Sequence, residues 1–299
     1  MLPLAGRPSS LADDPIEKKP LYRFLPGTRV FSVGFYGCTM RCPFCQNWEI
    51  SQNTGEFPPY ISPEELVAAA RKSGCPSIAF TYSEPTVHFE YILEASRLAR
   101  TAGLKTVLVT NGMLTRGPAE ELLAVIDAVN VDIKCFSAEV YRRTLGGDLA
   151  AVFDFIRIAA RSCWIEATTL VVPGLDDWER AVAGIAEFLA GISAHLPLHL
   201  SAYHPAWKYE AAPTPVPLLG KLKTLAEKSL DSVYVGNVAG DSSTDRCRAC
   251  GAVLVDRRGY RVLGIGLASL PSANAPPLEH AGARCSACGN PAFFVLGKE

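Results

Sequence analysis

Cys38, Cys42 and Cys45 lie in the segment Gly37-Cys38-Thr39-Met40-Arg41-Cys42-Pro43-Phe44-Cys45-Gln46-Asn47, with the spacing C-x3-C-x2-C. Thiolates crowded this tightly on a short loop suit an iron–sulfur cluster, and three of them leave one iron of a four-iron cluster without a protein ligand. An open iron gives a small molecule a place to chelate, which sets this spacing apart from the four-cysteine sets of electron-transfer ferredoxins. A zinc knuckle or a disulfide pair with a spare thiol are the alternatives. Zinc usually takes four ligands from paired C-x2-C units, so a lone triplet fits it poorly.

A second set of thiols sits near the C-terminus. Cys247-Arg248-Ala249-Cys250-Gly251 and Cys285-Ser286-Ala287-Cys288-Gly289 are two C-x2-C-G knuckles with short strand-like runs at 253–256 and 260–263 between them. This is the pattern of a zinc ribbon. Each glycine lets the chain turn back so that backbone amides approach the sulfurs, and tetrahedral coordination stabilises a core too small to hold itself. A second iron–sulfur cluster is the other reading of the same four thiols. The Ala- and Pro-rich segment 268–282 is expected to be a loop that lengthens the ribbon. Cys135 reads as a small buried hydrophobe, and Cys75 and Cys163 give no further signal.

The elements that must position the first triplet follow a regular rhythm. Between Arg29 and Val235, short β-branched runs alternate with amphipathic stretches, the pattern of repeated βα units. Strands are expected at 30–34, 77–81, 105–110, 128–133, 164–172, 196–201 and 232–235, and helices at 63–72, 87–101, 118–126, 149–161, 178–192 and 217–230. Ser62-Pro63-Glu64-Glu65 supplies a helix start, and Gly74 and Gly103 supply stops. Cys38, Glu84, Asn111, Asp132, Thr168 and His204 are each read as falling at or just beyond the C-terminal end of a different strand, the end where βα folds carry their chemistry. That convergence favours a partial (β/α)6 TIM-like barrel over an open doubly wound sheet. The expected organisation is an N-terminal extension (1–28), the barrel (29–240) and a small four-cysteine zinc-ribbon-like domain (241–299).

Composition sets the class. The chain has 299 residues, 48% of them hydrophobic and 20% charged, with a formal charge of −1. Such a balance gives no electrostatic footprint for nucleic acid or a membrane surface. Met1–Pro20 lacks the apolar run of a signal peptide, and no run of about 18 apolar residues occurs. Seven of the ten cysteines fall in metal-like clusters, so a reducing cytoplasm is expected.

The triplet, with Phe44 just before its third cysteine, resembles the signature of the radical S-adenosylmethionine (radical SAM) enzymes. The resemblance implies a four-iron four-sulfur cluster whose open iron binds the amino and carboxylate groups of SAM. It also implies reductive cleavage to methionine and a 5′-deoxyadenosyl radical that abstracts a hydrogen atom, with Phe44 near the adenine. Thr81-Tyr82-Ser83-Glu84-Pro85-Thr86 resembles the Gly-Gly-Glu-Pro segment of the activating enzymes, which makes Glu84 the acceptor for the SAM amine. Thr110-Asn111-Gly112 and Val131-Asp132-Ile133-Lys134 resemble segments of the pyruvate formate-lyase activating enzyme group that approach SAM and substrate. That group carries an acid immediately before Thr-Asn-Gly where this chain has Val109. Tyr203-His204 resembles a Tyr-His segment of the same enzymes, which adds His204 as a cofactor contact.

The resemblance extends further. Glu17-Lys-Lys-Pro-Leu-Tyr-Arg-Phe-Leu-Pro-Gly27, Cys45-Gln-Asn-Trp-Glu-Ile-Ser-Gln52, Thr168-Thr-Leu-Val-Val-Pro-Gly174, Val233-Tyr-Val-Gly-Asn-Val238 and the C-terminal knuckles are similar to the AmmeMemoRadiSam radical SAM family. Thr168 thereby joins the candidate cofactor-binding residues. The implied partners are an electron donor such as flavodoxin or ferredoxin and a substrate, either a protein backbone glycine, as in glycyl radical activation, or a small molecule or modified side chain. A nonenzymatic iron–sulfur or zinc-binding protein would have no use for a ring of polar strand ends.

Overall fold

The computed structural model describes residues 5–52, 57–270, 278 and 282–297. Eight strands form one sheet in sequence order: β1 (Ser10–Pro15), β2 (Arg29–Gly34), β3 (Ser77–Thr81), β4 (Lys105–Thr110), β5 (Ala128–Asp132), β6 (Trp164–Val171), β7 (Leu198–Ala202) and β8 (Val233–Gly236). β1 pairs antiparallel with β2, and β2 through β8 are parallel to their neighbours. The helices are α1 (Trp48–Ser51), α2 (Pro63–Ser73), α3 (Phe89–Thr101), α4 (Arg116–Leu123), α5 (Ala138–Val140), α6 (Leu149–Ser162), α7 (Trp178–Ala190) and α8 (Val216–Ala226). Consecutive strand order with helical crossovers is what right-handed βα units produce when the sheet curls towards a barrel. Among the described residues β1 and β8 are the two edges of this sheet, so the barrel is partial.

Local sequence accounts for the elements. Ser62 and Glu65 close a reciprocal capping box, Ser62 Oγ accepting from Glu65 N at 3.2 Å and Glu65 Oε2 from Ser62 N at 2.8 Å, and Gly74 ends α2 at φ +77°. The apolar faces of α6 (Val152, Phe155, Ile156, Ala159) and α7 (Val182, Ile185, Ala186, Leu189) are buried against the sheet in one continuous core. All seven expected strands are present, with ends shifted by at most two residues. α8 stops at Ala226, short of the expected residue 230, because the chain passes into tight turns there. β1 is an addition that the sequence pattern concealed. Ser-Leu-Ala-Asp-Asp-Pro carries two acids and a proline, which only an edge strand tolerates.

Side chains at alternate strand positions point into the barrel, and the N-terminal segment crosses them. Glu166 of β6 is fully buried. Its Oε2 accepts from Tyr22 N at 3.0 Å and faces His199 Nε2 at 2.7 Å; its Oε1 accepts from Arg23 N at 2.8 Å and Trp164 Nε1 at 3.0 Å. Burial alone would push this carboxyl up, but His199 and the two backbone donors outweigh it and hold the pKa below the usual range. Asn130 of β5 adds a further tie, its Nδ2 donating to Pro20 O at 2.8 Å.

After β8 the chain forms two small antiparallel sheets. One orders β9 (Ser242–Arg246), β10 (Val253–Arg258) and β11 (Arg261–Ile265) as β11-β10-β9; the other holds β12 (Leu267–Ser269), β13 (Ala283–Cys285) and β14 (Pro291–Ala292). The expected loop at 268–282 begins inside β12, and 271–277 and 279–281 lie outside the described residues. This ribbon is fastened to the barrel by buried charge. Asp245 sits between Arg257 (Nη1 to Oδ2, 2.7 Å) and Arg23 (Nη2 to Oδ1, 2.9 Å), and it accepts from the Tyr234 hydroxyl at 2.6 Å. Arg257 Nη2 also donates to Tyr22 O. Val295 pairs with the N-terminal segment, Leu25 N donating to Val295 O at 2.7 Å and Val295 N to Arg23 O at 2.8 Å. Among the described residues no helix is long and apolar enough to cross a membrane.

Replacing Glu166 by alanine strips the partner from His199, Trp164 and two backbone amides at once. The expected loss is about 3–5 kcal/mol of unfolding free energy, read as a lowered urea midpoint. Because the folded carboxyl lies below its unfolded value of 4.5, its contribution is present above that pH and is lost as pH falls through the folded value.

Candidate active site

The C-terminal mouth of the barrel opens into a cavity of about 300 Å³. Cys38, Cys42 and Cys45 line one side of it, on the loop that follows β2. All ten cysteines carry free thiols. Burial, with a smaller contribution from Glu84, pushes the Cys38 thiol up to about 12; burial pushes Cys42 up to about 11 against the pull of Lys134. Two donors already aim at Cys38 Sγ: Met40 N at 3.3 Å and Asn111 Nδ2 at 3.7 Å. Three thiols facing one cavity, with N–H groups directed at a sulfur, form a donor set that fits an iron–sulfur cluster with one site left open.

Glu84 follows β3 and is almost fully buried. Its Oε1 accepts from Thr86 Oγ1 at 2.6 Å, Thr110 Oγ1 at 2.7 Å and Thr86 N at 3.1 Å, whereas Oε2 accepts only from Asn111 N at 2.8 Å. The carboxylate thus caps the turn at Pro85–His88, as Glu before Pro suggests, and joins it to the end of β4. Oε2 thus carries a single donor where Oε1 carries three, and Glu84 lines the cavity. Burial raises the pKa of Glu84, and its bonds to Asn111, Thr86 and Thr110 oppose that rise.

Asn111 links the cluster loop to β4. Its Nδ2 donates to Thr39 Oγ1 at 2.9 Å, and its Oδ1 accepts from Met113 N at 2.9 Å. Asp132 ends β5 and pairs with Lys134, Oδ2 to Nζ at 2.8 Å. Burial works against the Lys134 ammonium, but Asp132 and Cys42 more than offset it and hold the pKa above the usual lysine range. The lysine is therefore a fixed cation beside the thiols.

Phe44 is buried at the cavity edge, packed edge-on against Tyr209 with ring centroids 6.1 Å apart. Thr168 lines the cavity from within β6, which runs on to Val171, and its hydroxyl donates to Asn130 Oδ1 at 2.9 Å. His204 is not among the lining residues but adjoins one of them, Asn237. β7 ends at Ala202, so the period-two alternation that turns His199 and Ser201 inwards is over; His204 is exposed at the rim, its Nε2 lying 3.1 Å from Asn237 O.

Several lining residues received no site assignment from the sequence, although Glu17 and Tyr22 lie in the quoted Glu17–Gly27 motif. Glu17 and Tyr22 come from the N-terminal segment, His199 and Ser201 from β7, and Tyr260 from the turn between β10 and β11. The β7 pair was accessible from strand periodicity once the inward face was known. The others reach the site only through the tertiary path of the chain.

The knuckles form a separate centre. Cys247 and Cys288 sulfurs lie 3.6 Å apart, Cys250 and Cys285 sulfurs 3.8 Å apart, and all four fall within 4.8 Å of one another. A regular tetrahedron with metal–sulfur bonds of about 2.3 Å has edges of about 3.8 Å, so the four sulfurs are spaced to hold a single ion. A multi-iron cluster places each thiolate on a different iron and would spread them wider. Gly251 and Gly289 turn at φ +74° and +75°, returning their amides to Cys247 O and Cys285 O at 2.8 and 2.9 Å.

Residues 32–184 match the Radical SAM superfamily. An uncharacterized protein of Methanocaldococcus jannaschii is 37% identical across 97% of this chain and 85% of its own length. The pyruvate formate-lyase 1-activating enzyme of Escherichia coli K12 is 27% identical across 62% of this chain and 78% of its own. Among solved structures, a radical SAM methyltransferase from Sphaerobacter thermophilus shares the fold at a TM-score of 0.54 and 15% identity, covering 71% of this chain and 67% of that one. The chain belongs to the radical SAM superfamily and is an enzyme that generates radicals from S-adenosylmethionine.

Proposed function

We propose that Cys38, Cys42 and Cys45 hold a four-iron four-sulfur cluster with SAM on its open iron, and that the resulting radical takes a hydrogen atom from a substrate in the same cavity. The observation that carries this reading is the meeting of three free thiols with Glu84, Asn111 and the Asp132–Lys134 pair around one cavity. When bound, the reduced cluster supplies one electron to the sulfonium of SAM and releases methionine and a 5′-deoxyadenosyl radical.

The protein's part is binding and orientation. Glu84 Oε2, which carries a single donor, accepts from the amine of SAM, and the three donors on Oε1 prevent the carboxylate from turning away. Lys134 Nζ, steadied by Asp132, meets the SAM carboxylate with a fixed positive charge. Asn111 steadies Cys38 and Thr39 on the cluster loop, and Phe44 gives the adenine an apolar wall. His204 stands just outside the lining, its Nε2 3.1 Å from the carbonyl of lining residue Asn237.

An electron donor such as flavodoxin or ferredoxin would supply the reducing equivalent. Similarity to a pyruvate formate-lyase activating enzyme supports a protein glycine as one substrate class. Zinc is the proposed ion of the knuckles, on the short sulfur–sulfur distances. A reducing cytoplasmic setting suits ten free thiols.

Anaerobic reduction of reconstituted protein with SAM should yield 5′-deoxyadenosine, and Cys42→Ala should lower the yield by roughly a hundredfold or more. A cluster-loaded wild type that leaves SAM intact would sink the proposal. Lys134→Met should weaken SAM binding by about tenfold in equilibrium dialysis, with cluster content unchanged. Metal analysis of Cys250→Ser should show zinc lost and cluster iron retained; loss of iron instead would reverse the assignment of the two centres.

A further inference from the structure

Beside the active cavity lies a concentration of positive charge that the chain leaves unanswered. An outer cleft of about 430 Å³ is bordered by Arg29, Arg258 and Arg261, together with Glu17 and Tyr260, which also line the active cavity. Arg29 begins β2 of the barrel, whereas Arg258 ends β10 and Arg261 begins β11 of the ribbon. All three arginines are exposed, and among the described residues none of them forms an ion pair. Arg29 commits one N–H to Asp13 O at 2.6 Å and keeps the rest of its fork.

The ribbon hairpin holds this charge against its own repulsion. Arg258 and Arg261 are directly opposite each other across the β10–β11 turn, and like charges so placed destabilise an antiparallel pair. The neighbouring Arg257 is answered by Asp245 at 2.7 Å, so one strand pairs its buried arginine and leaves its exposed one open. The surrounding carboxylates do not supply the missing charge. Asp256 accepts from Thr244 Oγ1 at 2.7 Å, Asp241 stands beside the Gly259 turn without bonding either arginine, and Asp13 offers Arg29 only its backbone carbonyl. Glu17 is 1% exposed, its Oε1 accepting from Gly27 N at 2.8 Å. Two guanidiniums kept on one face of a hairpin, with a third lining the same cleft from the barrel, are a donor set for an oxyanion, whose oxygens planar forks bind in pairs.

We propose that Arg29, Arg258 and Arg261 form a binding site for a phosphate group, free or carried as the monoester of a small molecule. Three guanidiniums match a doubly charged anion better than a single carboxylate, and a cleft of this volume has room for more than the phosphate itself. The bound group bridges β2 of the barrel and the ribbon hairpin, so its occupancy adds to the docking that Asp245 already provides. The site stands apart from the radical reading, since none of the three arginines belongs to the set that holds the cluster or SAM.

Isothermal titration of the purified full chain with inorganic phosphate, butyl phosphate and acetate, each at the same ionic strength in chloride, tests the assignment. Phosphate or its ester should bind at least tenfold more tightly than acetate. Binding of both identifies a monoester as an acceptable source, and binding of inorganic phosphate alone identifies the free ion. Arg29→Gln, on the barrel side, and the double variant Arg258→Gln/Arg261→Gln, on the ribbon side, should each weaken phosphate binding by roughly tenfold or more. In chloride the double variant should have a urea midpoint equal to or above that of the wild type, because the opposed charges are gone; phosphate should raise the wild-type midpoint and leave that of the double variant in place. Phosphate and its ester binding no better than acetate, affinity unchanged in both variants, or a lower chloride midpoint of the double variant would each overturn the proposal. An oligoglutamate peptide that binds where both phosphates fail would also overturn it and give the cleft to an acidic protein. None of these measurements involves SAM cleavage, so a failure of the radical chemistry is seen separately.

Discussion

The buried Glu166 carboxylate fixes the inside of this barrel. A partial barrel has an open seam and an interior that must be filled by something other than the eighth βα unit. Here the N-terminal segment fills it, and the anchor is a single carboxylate holding two successive backbone amides, Tyr22 N and Arg23 N, with His199 and Trp164 completing its shell. A charged group this deep is tolerated only when its acceptor sites are taken up, and all four donors are supplied by groups that would otherwise be buried without partners. The arrangement closes the cavity from below. It also sets where Glu17 and Pro20 stand in its wall, since both lie on the same stretch of chain.

The mouth of the barrel follows the same logic one layer higher. Glu84 gathers Thr86, Thr110 and Asn111, so the ends of β3 and β4 are tied before any ligand enters. Asn111 then reaches to the cysteine loop, and Asp132 holds Lys134 beside Cys42. Preorganisation of this kind reduces what binding must spend on ordering side chains. It also explains how a loop with three free thiols keeps its shape: the loop is held through backbone bonds such as Arg41 N to Leu145 O at 2.8 Å and Glu84 N to Gly37 O at 3.2 Å, independent of metal.

What the sequence made legible was local. The seven parallel strands follow from β-branched runs and their spacing, and the cysteine sets follow from short motifs whose geometry is built into a loop or a knuckle. Glu84, Asn111, Asp132 and Lys134 were legible because strand ends in a βα fold converge by topology. Residues placed by long-range threading were not. Glu17, Tyr22 and Tyr260 stand in segments with no periodic signal, and Glu166 and His199 look like ordinary polar interruptions of buried strands until the N-terminal segment is seen to cross them. For His204 the motif gives sequence position only: β7 stops at Ala202, and the side chain lies against Asn237 at the edge of the lining.

The ribbon's contribution follows from where its forces lie. Its own hydrophobic cluster is small, with seven buried residues among the described ones, two of them knuckle cysteines, so the docking contacts, together with the ion proposed for the knuckles, must supply most of its order. Arg257 is the central contact, 1% exposed and shared between Asp245 of the ribbon and Tyr22 O of the barrel plug. Three residues beyond Arg257, the β10–β11 turn delivers Tyr260 to the cavity wall. The guanidinium that fastens the ribbon therefore also sets the register of the turn. Through Arg23, which bonds both Glu166 and Asp245, that register is tied to the same carboxylate that closes the barrel floor. Floor, plug and ribbon wall thus form one connected polar scaffold, and the shape of the outer half of the cavity depends on all three at once.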